Sequence, residues 1–159
     1  MSTPAEICAK LAKEPLFAEF TSQEVEQFVS LMEVKQARLG EIIVRQDEIG
    51  DCMYIVLEGS AKVVHHKEGH HIELATIKDG DFFGELSLVD QGPRSADVEA
   101  LSPCTLLRVE VGSLLALSGV YPRAAFKFLI ATGRILVNRL RRGNQRYIDS
   151  LLFPLAGKD

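Results

Sequence analysis

Residues 79–100, DGDFFGELSLVDQGPRSADVEA, hold the side chains of this chain best suited to gripping a small anion. Gly84 follows two aromatics and opens the short segment Glu85-Leu86-Ser87-Leu88, and a residue without a side chain lets a ligand approach the backbone closely. Backbone N–H groups near Leu86 and Ser87, exposed where a helical turn begins, attract negative charge. Arg94 follows Gly92-Pro93, where the chain turns into the next strand, and its planar fork suits two phosphate oxygens at once. Glu85 would repel a phosphate but accept a hydrogen bond from a sugar hydroxyl. One phosphate and one free ribose hydroxyl on the same small molecule would satisfy both residues. Ser87 and Ser95 have no His/Asp relay in the sequence, so no catalytic constellation is visible and no enzyme is expected.

The elements that must position these groups fall into three textures. Residues 1–32 read as helical, with Ile7, Leu11, Val25, Phe28, Val29 and Met32 at helical spacing and Ser22 as an imperfect N-cap. From 33 to 110 the period changes to short β-rich runs (EIIVRQ, CMYIVLEG, AKVVHH, HIELATI, SADVEA, CTLLRVE) punctuated by glycines. Such spacing predicts an antiparallel sandwich or barrel. From 111 to 152 the helical period returns, broken at Tyr121-Pro122. The whole chain, 1–159, reads as one domain. The long final helix carries two apolar stripes. Phe126, Leu129, Ile130, Gly133, Leu136, Val137 and Leu140 are read as the core stripe, and Ala124, Phe128, Ala131 and Ile135 as a surface for the same helix of a second copy.

The chain resembles the cyclic nucleotide-binding domain family in Phe83-Gly84-Glu85-Leu86-Ser87-Leu88 followed by Pro93-Arg94-Ser95-Ala96. Gly40-Glu41-Ile42-Ile43, Gly50 to Val56, Glu58-Gly59, Gly80-Asp81 and Tyr121-Pro122 extend the likeness over about residues 14–145. The resemblance implies an eight-stranded antiparallel jelly roll, mainly β, with N-terminal helices and a long C-terminal helix. It implies that Glu85 holds the ribose 2′-hydroxyl and Arg94 the cyclic phosphate, helped by Ser95, Gly84 and the amides of Leu86 and Ser87. Val63 and Leu74 would wall the base pocket. Asn144, able to donate and accept, would meet the edge of adenine from the closing helix, and Gly143 would be a weak point there. Nucleotide would then order residues 140–152 and tighten a dimer built on Phe128, Ala131 and Ile135. A small residue after the cassette arginine implies cAMP over cGMP, although Ser95 keeps a hydroxyl; a cyclic dinucleotide stays open. Where the family often has glycine, this chain has Asp47, which tolerates positive φ. Only fifteen residues follow Asn144, too few for the helix-turn-helix domain of the family's transcription factors. A stand-alone sensor is therefore expected, acting on a separate effector or through a dimer, with no cofactor and no DNA-binding domain.

Other readings compete. A plain Glu85–Arg94 ion pair would suit a ligand-free scaffold of the same fold. Histidines 65, 66, 70 and 71 beside Glu73 invite a metal-dependent cupin-type enzyme. They flank Lys67-Glu68-Gly69, however, and adjacent strand residues face opposite ways, so an exposed hairpin is expected. The final helix carries seven basic residues and no acid from 111 to 148, leaving 11 bases against 22 acids elsewhere. Such polarity fits an acidic partner or nucleic acid, or arginines paired with the acidic barrel. A net charge of −4 argues against a basic nucleic-acid coat, and no apolar run reaches the ~18 residues that span a bilayer. Cys8, Cys52 and Cys104, without a CxxC, read as small hydrophobes in the cytoplasm.

Overall fold

The computed structural model describes residues 3–152, so the termini included in the single-domain reading lie partly outside the described residues. Two short helices open it: α1 (Pro4–Leu11) and α2 (Ser22–Val29). Each starts with a capping box, Thr3 with Glu6 and Thr21 with Glu24. The α2 cap is thus Thr21 and not Ser22, because only Thr21 has a glutamate three residues on to return the hydrogen bond.

Eight antiparallel strands follow: β1 (Glu33–Ala37), β2 (Ile42–Val44), β3 (Cys52–Glu58), β4 (Ala61–Lys67), β5 (His70–Ile77), β6 (Phe82–Phe83), β7 (Asp97–Ala100) and β8 (Cys104–Glu110). They form two four-stranded sheets, β1-β8-β3-β6 and β2-β7-β4-β5. β3 is buried on both faces, which is why its sequence is an unbroken apolar run. Cys52, Tyr54 and Val56 point between the sheets, where Val98, Ala100, Leu106 and Phe83 join them. Met53, Ile55 and Leu57 point the other way, into a second core closed by the helices.

Two helices end the described chain, α3 (Val111–Val120) and α4 (Pro122–Leu152). α4 packs Phe128, fully buried, against Phe28 and Phe17, with ring centroids 4.7 and 6.4 Å away. The two stripes of α4 are therefore exchanged relative to expectation. Ala124, Phe128, Ala131 and Ile135 face the core, joined by Leu136 from the expected core stripe, whereas Phe126, Leu129, Ile130, Val137 and Leu140 are exposed. Sequence period gives two faces but not their destinations; the aromatics of the N-terminal helices decide, by supplying a pocket for Phe128. Lys127–Glu24 and Arg134–Glu19 ion pairs fix α4 to α2 and to the turn that precedes it. The three cysteines are free thiols, two buried and Cys8 half-buried. No helix among the described residues is long and apolar enough to cross a membrane.

Candidate ligand-binding site

A cavity of about 560 Å³ opens between the β2-β7-β4-β5 sheet, the segment 83–95 and the distal half of α4. Gly84, at φ 76°, is in the left-handed region and turns the chain from β6 into a 3-10 turn, Glu85–Leu88. Glu85, Leu86, Ser87, Arg94 and Ser95, the residues the sequence marks for a ligand, all line this cavity.

Arg94 enters from a loop pinned on both sides. Its N–H donates to Glu48 O at 2.8 Å, and its carbonyl accepts from the Asp47 amide at 2.9 Å. Asp47 takes φ 67°, so aspartate does sustain the turn in which glycine is more common. The guanidinium then threads between two glycines. Nη1 donates to Gly84 O at 3.1 Å and to Ser87 Oγ at 2.8 Å, and Nη2 donates to Cys52 O at 2.7 Å. Every acceptor holding it is neutral, which suits a group that is to meet an anion. The Ser87 amide donates to Gly84 O, closing the turn.

Glu85 does not pair with Arg94. Its Oε1 lies 3.7 Å from Arg139 Nη1 on α4, and Arg139 also lies 4.3 Å from the Phe82 ring centroid. A plain Glu85–Arg94 ion pair is therefore not what occupies this site. Arg139, Arg142, Gly143 and Arg146 share one face of α4 at helical spacing and roof the cavity.

Two expected residues lie elsewhere. Leu74 is 58% exposed and lies outside the lining, where Ala75 stands opposite Val63 instead. Val63 pairs with Ala75 and Val64 with Glu73, so Leu74 is the extra residue of a bulge that reverses the alternation. Asn144 is one residue past Gly143, about 100° around the helix, and is not in the lining. Arg139, Arg142 and Arg146 are residues that reading the sequence missed; their i, i+3, i+7 spacing in the basic run was the available signal. The lining holds four arginines against Asp81, Glu85 and Asp90, a net charge of +1.

The family model described as the cyclic nucleotide-binding domain matches residues 34–120, from β1 to the end of α3. The chain belongs to the cyclic nucleotide-binding domain family. It is 31% identical over 143 residues to the cyclic AMP receptor protein of Thermus thermophilus, covering 89% of this chain and 64% of that one. A solved cyclic nucleotide-binding domain from Methylobacillus flagellatus is similar over 92% of this chain and 83% of its own, at 26% identity and TM-score 0.81. The regulatory domain of Toxoplasma gondii PKA, solved with cAMP, matches 82% of this chain and 49% of its own at 28% identity and TM-score 0.68. This chain spans less than two thirds of the length of the first curated relatives it matches. In this cyclic nucleotide-binding domain, Arg94, Glu85 and the α4 arginines meet in one cavity.

Proposed function

We propose that this domain binds a cyclic mononucleotide, cAMP in preference to cGMP, and passes the binding on through α4 as a regulatory module without chemistry of its own. The observation that carries the reading is the Arg94 guanidinium, held by neutral oxygens inside a cavity whose net lining charge of +1 complements one phosphodiester. A cyclic phosphate would exchange the Ser87 hydroxyl for charge-assisted bonds, roughly twice as strong as neutral ones. Glu85 would accept from the ribose 2′-hydroxyl, and Ser95 and the Leu86 and Ser87 backbone would help seat the phosphate. Val63 and Ala75 would give the base an apolar wall, with Arg142 or Arg146 stacked above it, since a guanidinium plane packs well on an aromatic face. Preference for cAMP rests on the family association of small residues at the position of Ser95. No cofactor enters this reading, and three free thiols suit a cytoplasmic address.

The exposed apolar face of α4, Phe126, Leu129, Ile130, Val137 and Leu140, is the surface we assign to a second copy of the domain. α4 runs as helix through Gly143 to Leu152. Nucleotide beneath Arg139, Arg142 and Arg146 would steady this half of the helix and so tighten the dimer or present it to a separate effector. Titration calorimetry with cAMP and cGMP tests the reading. Heat with cAMP, weaker with cGMP, is expected; no heat and no thermal shift at millimolar concentrations of either would overturn it.

A further inference from the structure

Asn144, which lies outside the cavity lining, falls on a longer pattern in α4. Alternating steps of four and three run without a break from Phe126 to Leu151. One half of the series is Ile130, Val137, Asn144 and Leu151, and the other is Phe126, Gly133, Leu140 and Tyr147. All are exposed except Gly133, which is half-buried. This is the heptad repeat by which two helices wind about one another, and the two halves are its a and d positions, lettered a to g. At 1.5 Å per residue the seam runs about 38 Å. Arg139, Arg142 and Arg146 fall at c and f, on the face over the cavity, so one helix can serve both surfaces.

β-branched Ile130 and Val137 at a, with Leu140 at d, favour two strands, and a single asparagine at a fixes the register. In a level, parallel pair Asn144 meets its own counterpart, and each amide can donate to and accept from the other. Slipped by one heptad, it would face Val137 or Leu151 and lose that partner. Charge sets the direction. Lys127, Arg134 and Arg141 stand at e, and no acid stands at g. A reversed partner would set these cations against one another, whereas a parallel one lays their stems over Leu129 and Leu136 at g. Lys127 and Arg134 are already paired within their own chain, with Glu24 and Glu19, and ask no acid of a partner. Gly133 fits the same arrangement. A Cβ there would meet nothing within 4 Å in its own chain, so the fold of one copy does not require a glycine. Facing its counterpart, it lets the two backbones close up.

We infer that α4 pairs with α4 of a second copy as a parallel, in-register coiled coil, with Asn144 as its register residue and not a contact to the base. The inference rests on the assignment of this face to a second copy, but not on what fills the cavity. Leu151→Cys in the full chain, oxidised with diamide, tests the direction. In the parallel pair residue 151 lies opposite its counterpart, within the roughly 4.4–6.8 Å Cα separation that a disulfide spans, and a covalent dimer should form. In a reversed pair the two would stand at opposite ends, about 38 Å apart. The parent, with its own three thiols, and Asn138→Cys, off the seam at b, should give at least tenfold less. Asn144→Leu tests the register. The parent should sediment as one dimeric species, and the variant as a mixture of dimer and larger species with no fall in thermal midpoint. A parent that stays monomeric at high micromolar concentration overturns both the inference and the second-copy reading. A dimeric parent in which Leu151→Cys does not cross-link overturns the inference and leaves the second-copy reading standing. An Asn144→Leu protein that remains a single dimer like the parent overturns the role of Asn144.

Discussion

Gly50 sits where the threading of Arg94 can be tested without touching either ligand-facing charge. A Cβ placed on Gly50 would lie 2.3 Å from Ser87 Oγ, 2.4 Å from Arg94 Nε and 2.5 Å from Arg94 Cζ, whereas ordinary contacts lie at 3.4–4 Å. The guanidinium must therefore retreat by about 1 Å, which at a positioned polar group can cost ~100-fold. Gly50 does not have positive φ, so alanine fits the backbone and lowers the entropy of the unfolded chain by about 0.4–1 kcal/mol. The intruded atoms belong to side chains that can move, so folding should survive. Loss of charged hydrogen bonds worth about 1.5–3 kcal/mol corresponds to a 10- to 150-fold loss of cAMP affinity. Gly50→Ala should thus show a thermal midpoint within a few degrees of the parent and sharply weaker binding by calorimetry. Parental affinity in a folded Gly50→Ala protein would refute the placement of Arg94 as the phosphate ligand.

Other predictions follow from the same geometry. Arg94→Ala should weaken cAMP binding by at least tenfold in calorimetry, while Arg123→Ala on the exposed start of α4 should leave it unchanged. If α4 pairs two copies as proposed, the parent should sediment as a dimer and Phe126→Glu as a monomer with little change in thermal midpoint, whereas Phe128→Ala, at a fully buried site, should cost about 3–5 kcal/mol of stability in urea unfolding. Burial works to raise the Asp97 carboxyl, but the Gln46 amide and His66 outweigh it and hold its pKa below the usual value. A depressed carboxylate contributes stability above its unfolded pKa and loses it as pH falls through the folded one. Asp97→Asn should therefore be less stable than the parent at pH 7, with the gap closing below about pH 4 in thermal melts.

Local chemistry made much of this protein legible from its sequence. Six of the eight strands stand in the apolar runs between glycines, because alternation and turn residues act over a few positions. The strands Glu33–Ala37 and Phe82–Phe83 were not among those runs, since one is largely polar at an edge and the other is two residues long. Gly84, Glu85, Ser87, Arg94 and Ser95 could be marked as one candidate segment because the turn that gathers them into the cavity lining is itself local. The remainder was decided by distant partners. A bulge opposite Val63 turned Leu74 outward, and nothing in HIELATI announces an extra residue. The core face of α4 was chosen by Phe17 and Phe28, more than ninety residues earlier in the chain, so periodicity alone assigned the core to the wrong stripe. His66, His71, Asp97 and Gln46 likewise became one network only when β7 and the loop after β2 closed against β4. Periodicity names the faces of an element, but only packing assigns each face a neighbour, because burial is a property of pairs of elements and not of one.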